Sequence, residues 1–211
     1  GGHGPRPHAT IDPIVMAAAT VMGLQTIVSR EIDPREMAVV TIGSIHAGLK
    51  NNIIPAEAKL ELSLRYPDDD ARADVLARVE RIVRAEAQAS GAVDEPVITT
   101  DHSLPPTIND ADATARLTDA WDRAFGEGTV VDPGMFTGSE DVSWFAREAG
   151  VPLVYWFWGG LDPQRYADAV ARGTVNEEIP TNHSPFFAPI LHPTIERGVD
   201  ALVVAAREFL A

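Results

Sequence analysis

The side chains in this chain with the most chemical potential are an imidazole near each end, an asparagine and an arginine in the first half, and an acidic pair in the second. His183 sits in the Pro-bounded loop Thr181-Asn182-His183-Ser184-Pro185. A neutral imidazole is a good metal ligand when a neighbour fixes its tautomer, but no second histidine or carboxylate stands beside this one at metal-ligand spacing. Taken alone, it is a solvent-exposed loop histidine. His3 lies in the Gly-rich run Gly1-Gly2-His3-Gly4-Pro5-Arg6-Pro7-His8, where an unaided reading makes it a flexible terminal side chain and His8, next to Pro7, a structural one. Arg65 offers a planar fork suited to a carboxylate, and Asn52 an amide donor. Both have plainer readings: Asn51-Asn52 is good turn chemistry, and Arg65 on the polar face of a strand would pair with Glu61. Glu140 and Asp141 follow Gly138-Ser139 at the start of a predicted helix, where carboxylates are electrostatically favourable in any case. Gly159-Gly160 closes an apolar run and lets backbone approach a ligand, or simply makes a tight exit.

Composition narrows the partners. The chain has 211 residues, 45% of them hydrophobic, which is enough to bury a sizeable core in one large or two small domains. With 31 acidic against 17 basic residues, the formal charge is −14. That makes nucleic acid and anionic membranes poor partners, because both call for a basic patch, and leaves small molecules or proteins. No cysteine is present, so the chain has no disulfide framework and no thiolate nucleophile or ligand, which fits a cytoplasmic location. The longest apolar stretch, Val151–Trp158, is too short to span a bilayer. The opening on Gly1, with no initiator Met or leader, reads as the start of a fragment.

The elements that must position these residues divide near residues 101–106. Asp12-Pro13 supplies an N-cap and a first-turn proline, and Ile14, Ala17, Ala18, Val21, Leu24 and Val28 recur at helical spacing. A β-branched strand is expected over residues 37–45. Leu60, Leu62 and Leu64 alternate with Lys59, Glu61, Ser63 and Arg65 as a second strand with one wet face. Asp68–Asp70 caps a helix carrying Val75, Leu76, Val79, Ile82 and Val83 on one face, and Pro96–Thr100 reads as a last short strand. This α-β-β-α-β order is a βαββαβ sandwich without its first strand. Beyond it come a helix over Ala113, Leu117, Ala120, Trp121 and Ala124, and a short helix over residues 139–149. A strand at Val151–Trp158, buried on both faces, follows. The last helix, after Pro193, aligns Ile195, Val199, Leu202, Val203 and Ala206. Residues 161–180 read as a solvated excursion. The expected fold class is α/β, with an α+β first domain over residues 1–103 and a second over residues 104–211.

Four segments in order and spacing carry a resemblance: Gly1–His8 followed by Ile11-Asp12-Pro13, then Gly43–Gly48 with Asn51–Pro55, then Gly138-Ser139-Glu140-Asp141, then Asn182-His183-Ser184-Pro185. Together they resemble the M20 metallopeptidase family, and within it the branch of hippurate hydrolases, N-acyl-amino-acid amidohydrolases and auxin-conjugate hydrolases. The resemblance implies a ferredoxin-like lid, lacking its first strand here, followed by the C-terminal part of an α/β catalytic domain. It implies two divalent metals (zinc, manganese, cobalt or nickel), a homodimer formed through the lid, and an N-acyl-amino-acid or peptide substrate with a free carboxylate. His183 matches the last metal ligand. His3 matches a lid histidine that donates to the developing oxyanion, often in the partner subunit. Asn52 and Arg65 match the grip on the substrate carboxylate, Glu140 an acidic residue beside the metals, and Gly159 a backbone substrate contact. The family's remaining ligands and its glutamate base lie upstream of the lid and are not in this chain, so the chain alone is expected to be inactive. The alternative is a non-catalytic dimerisation or ligand-binding module.

Overall fold

The computed structural model describes residues 1–136, 138, 140–182 and 184–210. It divides into two compact units, Gly1–Pro106 with Thr137–Trp144, and Thr107–Phe136 with Phe145–Ala211. The division is therefore not a single cut at 103/104, because the segment around Glu140 belongs to the first unit.

The first unit is built on an antiparallel ladder. β2 (Val39–Ala47) pairs with β4 (Ala58–Arg65) from Val39↔Arg65 to Ala47↔Ala58, with a bulge at Gly43 between the pairs Ile42↔Leu62 and Ser44↔Glu61. The bulge explains the uneven spacing of Val40, Ile42 and Ile45: the extra residue keeps each of them opposite a leucine of β4, at Leu64, Leu62 and Leu60. The strand expected over 37–45 thus forms two residues later. A second, two-residue ladder joins β1 (Gly2–His3) to β3 (Ile53–Ile54).

One face of the long ladder is covered by α1 (Pro13–Thr26), extended by a π turn over Ile27–Glu31, and by α2 (Asp69–Ala89). Asp12 caps α1 by accepting from the Ile14 amide at 2.9 Å, and Asp68 caps α2 by accepting from Ala71 at 2.8 Å. Leu24, Ile27, Val75, Val79 and Ile82 form the core, with Val40, Ile42, Leu62 and Leu64 packed on it. The predicted face of α1 is partly wrong. Ala17, Thr20, Leu24 and Ile27 are buried, whereas Ile14 and Val28 are nearly half exposed and Val15 and Met22 are 64% and 70% exposed. The helix is apolar on two sides, so periodicity could not say which side meets the sheet. With its π turn, this helix spans 19 residues and is long and apolar enough to cross a membrane on length and composition. That corrects the expectation that no segment qualifies, although Leu24 and Ile27 lie in the core. The expected strand at Pro96–Thr100 is not formed. A strand needs a neighbour that shares its hydrogen bonds, and none pairs with it among the described residues.

In the second unit, α3 (Ala111–Phe125) packs on α7 (Thr194–Leu210) through Leu117, Trp121 and Ala201. The Trp121 indole donates to the Ala201 carbonyl at 3.1 Å. Glu208 ties the pair at its far end through Arg116 and Arg123. The predicted face of α7 is also corrected: Ile195, Val199 and Leu202 are more than half exposed, and the buried positions are Gly198 and Ala201. Close approach selects the small residues, since a Cβ on Gly198 would lie 3.0 Å from the Trp158 ring. α4 (Val142–Ala149) starts three residues later than expected. The excursion at 161–180 contains α5 (Pro163–Arg172) and α6 (Val175–Glu178), with Ala169 fully buried. Val151–Trp158 forms no strand and pairs with none among the described residues, and Phe157 and Trp158 are about half exposed, so it is not the doubly buried strand expected.

Glu31 joins α1 to α2 by accepting from Arg78 and Arg81 at 3.0 and 2.6 Å. The Arg81 and then the Arg78 hydrogen bonds hold its carboxyl below the ordinary glutamate range. A carboxyl whose pKa is lowered by folding adds stability at neutral pH and loses it as pH falls through that lowered value. Glu31→Gln should lower the melting temperature at neutral pH, with the gap to wild type closing in acid. A gap of constant size across that range would show that the ion pair contributes nothing.

Candidate substrate-contact site

The short β1–β3 ladder brings together two residues that the sequence holds far apart. His3 is the register partner of Ile53, and the Gly4 amide donates to the Asn52 carbonyl at 2.9 Å. His3 and Asn52 are both exposed at this edge. The chain turns on itself there, since the Arg6 amide donates to the His3 carbonyl at 2.8 Å and a 3-10 turn over Pro7–Ala9 follows. Gly4 allows the approach: a Cβ on it would lie 2.9 Å from the Asn52 carbonyl oxygen. No local signal announced this pairing, because two-residue bridges carry no periodicity. His8 lies in the 3-10 turn, apart from the ladder.

Arg65 is elsewhere. It closes the opposite end of β4, paired with Val39, while Asn52 lies beyond the Ala47↔Ala58 end. Seven strand steps separate Ala58 from Arg65, about 23 Å. One protomer therefore does not bring Asn52 and Arg65 to one carboxylate. Nor does Arg65 pair with Glu61. That carboxylate is taken by Lys59 at 2.5 Å and by the Ser44 hydroxyl at 2.7 Å, and the Lys59 bond, followed by that of Ser44, holds it below the usual range. Among the described residues no carboxylate forms an ion pair with Arg65.

The Arg65 end of the strand instead leads toward Glu140. The Tyr66 hydroxyl lies 3.3 Å from that of Ser103, and the buried Ser143 hydroxyl donates to the Pro105 carbonyl at 3.0 Å, with the Glu140 carbonyl 3.4 Å away. Residues 103–105 are thus tied at one side to the strand end and at the other to the first turn of α4. Glu140 itself is half-buried.

Gly159 and Gly160 separate in role. A Cβ on Gly159 would meet nothing within 4 Å, whereas one on Gly160 would lie 3.0 Å from Pro189. Gly159 is therefore the member of the pair with open space beside it. His183 lies outside the described residues. Among those described, no three His, Cys, Asp or Glu side chains come together as a metal site.

Residues 1–90 match the family described as Peptidase dimerisation domain. Thermostable carboxypeptidase 2 of Saccharolobus solfataricus is 31% identical over 182 residues, covering 85% of this chain and 45% of that protein. A putative aminohydrolase from methicillin-resistant Staphylococcus aureus superposes over 98% of this chain and 49% of its own, at 25% identity and a TM-score of 0.67. A Bacillus subtilis protein described as a dinuclear metal binding peptidase of the M20 family matches 67% of this chain and 35% of its own, at 27% identity and a TM-score of 0.55. The chain carries an M20 peptidase dimerisation domain, and the proteins it resembles are amidohydrolases and peptidases of that family. It spans about half the length of the curated relatives it matches.

Gly4→Ala should push Asn52 away from β1. The expected readout is faster hydrogen exchange at the residue 4 amide with the core amides of α1 and α2 unchanged; unchanged exchange at residue 4 would remove the constraint.

Proposed function

We propose that the full-length protein is a metal-dependent amidohydrolase that cleaves the amide of N-acyl-amino acids or small peptides bearing a free carboxylate, and that it works as a homodimer formed through residues 1–90. The observation that carries the reading is the separation of the two candidate substrate grips. His3 and Asn52 share one edge beyond Ala58, Arg65 closes the other end of β4 about 23 Å from Ala58, and in this reading a single carboxylated substrate reaches both sets because they come from two protomers. Arg65, on the side of the unit tied to Glu140, serves the site of its own protomer. His3 and Asn52 serve the partner's. The dimer surface we assign is the outer side of α1, where Val15 and Met22 are exposed, beside β2, which pairs only with β4 among the described residues.

Each residue has a definable part. The Arg65 guanidinium fixes the substrate carboxylate through two parallel N–H···O bonds and so sets the position of the amide. Asn52 donates beside it. His3, donating to the amide oxygen as negative charge develops there, supplies about 3 kcal/mol of transition-state stabilisation. Glu140 supports the site from the first unit, and the Gly159 backbone borders the substrate. Two divalent ions, when bound, would supply an activated water and polarise the amide. The described residues do not assemble their ligand set. His183 supplies one ligand, and the others come from segments not contained in this chain. By itself this chain is therefore inactive. Relatives named as a carboxypeptidase and a dinuclear metal binding peptidase support both halves of the reading. A module that only dimerises or binds ligand is the competing possibility.

In the full-length protein, His183→Ala should lose both bound divalent metal and hydrolysis; full retention of the two would sink the metallohydrolase reading. Arg65→Ala should raise KM for carboxylated substrates on the order of 30-fold more than for their amides, the equivalent of about 2 kcal/mol for a charged hydrogen bond. Equal effects on both substrates would remove the clamp. Mixing the impaired His3→Ala and Arg65→Ala protomers should restore about a quarter of wild-type activity toward a carboxylated substrate held below KM, because random pairing gives half the dimers one intact composite site. No recovery would place His3 in its own protomer's site.

A further inference from the structure

The segment 151–158 has no strand partner among the described residues, yet its backbone is held at its centre. The Asn109 carboxamide donates from Nδ2 to the Tyr155 carbonyl at 2.8 Å and accepts from the Tyr155 amide at Oδ1, at 2.7 Å. Two residues earlier along the segment, the Leu153 carbonyl accepts from the Asp110 amide at 2.8 Å. This is the pattern of an antiparallel ladder, in which one residue offers an N–H and a C=O to its opposite number. Here a side chain takes the place of one strand's peptide group. Asp110, having donated from its amide, accepts with its carboxylate from Ala113 at 2.8 Å and starts α3. The helix that carries Leu117 and Trp121 and the segment that carries Val154 and Trp156 are thus joined by residues 109–110 and share one core.

We propose that Asn109 is a positioning residue for the substrate contact at Gly159. The carboxamide fixes the segment at Tyr155, and four residues on, the chain reaches Gly159, beside which a side chain would meet only open space. The far side of the turn is fixed independently: the Gly160 carbonyl accepts from Ile190 at 2.8 Å, and Pro189 closes against Gly160. Gly159 is therefore held between two anchors, Asn109 before it and the Pro189–Ile190 strap after it. Loss of the first anchor removes the two hydrogen bonds that Asn109 makes to the Tyr155 backbone, the backbone ties nearest Gly159 on that side after those at Val151 and Leu153, and lets the Gly159 backbone drift relative to bound substrate. A displacement of about 1 Å at a substrate contact is enough to cost catalysis. The proposal rests on the hydrolase reading above.

The test uses Asn109→Asp and Asn109→Ala in the full-length protein, with His183→Ala as the control for the hydrolase reading. The carboxyl introduced by Asn109→Asp has the shape of the carboxamide. When protonated, it still donates one hydrogen bond and accepts another. When ionised, it presents two acceptors and faces the Tyr155 carbonyl with like polarity. Its deficit in kcat/KM, taken as a ratio to wild type at each pH, should be small in mild acid and grow to tenfold or more toward neutral pH. Asn109→Ala should show a deficit on the order of tenfold at every pH, as expected for two lost hydrogen bonds. Part of it should fall on kcat, with faster exchange of the Tyr155 amide. Wild-type kcat and KM in Asn109→Ala, or a pH-independent ratio in Asn109→Asp, would overturn the positioning role even if the melting temperature falls. His183→Ala separates the cases. If it remains fully active, the hydrolase reading fails; if it is dead while both Asn109 variants behave as wild type, only the Asn109 proposal fails.

Discussion

β4 is a ruler. An antiparallel strand of eight residues, hydrogen-bonded along its length to β2 and backed by the Leu24–Val79 core, cannot shorten or fold over without breaking the ladder. Whatever stands beyond its first residue is held apart from whatever stands at its last. His3 and Asn52 fall at one end and Arg65 at the other. The Gly43 bulge belongs to the same constraint, because it lets the strand keep Val40, Ile42 and Ile45 opposite the leucines of β4 despite one extra residue. The core thus sets the straightness of the strand, and the strand sets the distance between the candidate contacts.

Much of this was legible in the residues. Asp12-Pro13, Asp68 and Asp110 are helix starts that any reading of caps finds, and each carboxylate accepts the expected backbone amide. The alternation of Leu60, Leu62 and Leu64 marks β4 and its buried side without ambiguity. The choice of face on α1 and α7 was not legible, and for the same reason in both. Each helix is apolar around more than half its circumference, and what touches its own unit is one stripe of several, Ala17, Thr20 and Leu24 in one, Gly198 and Ala201 in the other. Periodicity counts apolar residues; close packing selects by size, and that depends on the neighbour.

The candidate site divides along similar lines. Motif order picked out His3, Asn52, Arg65, Glu140, Gly159 and His183, but spacing within each motif could not tell which of them meet. The His3–Asn52 edge depends on a bridge of two residues per strand, below the length at which a strand pattern can be recognised. Glu140 falls in the first unit, where the buried Ser143 hydroxyl of the same segment donates to the Pro105 carbonyl. His183 lies outside the described residues, so its part rests on the motif alone.

Large apolar side chains left outward are the most informative departure from a self-contained fold. Scattered exposed leucines are ordinary, but a row such as Val15 and Met22 on a helix, or Ile195, Val199 and Leu202 on another, sets contiguous apolar surface in water. The cost can be relieved by a further surface that covers it, whether a second copy or more of the same protein. For α1 the first is the economical reading, because the residues that match a peptidase dimerisation domain include that helix and end just after α2. α7 lies outside that match, and its uncovered row is not explained by the same contact.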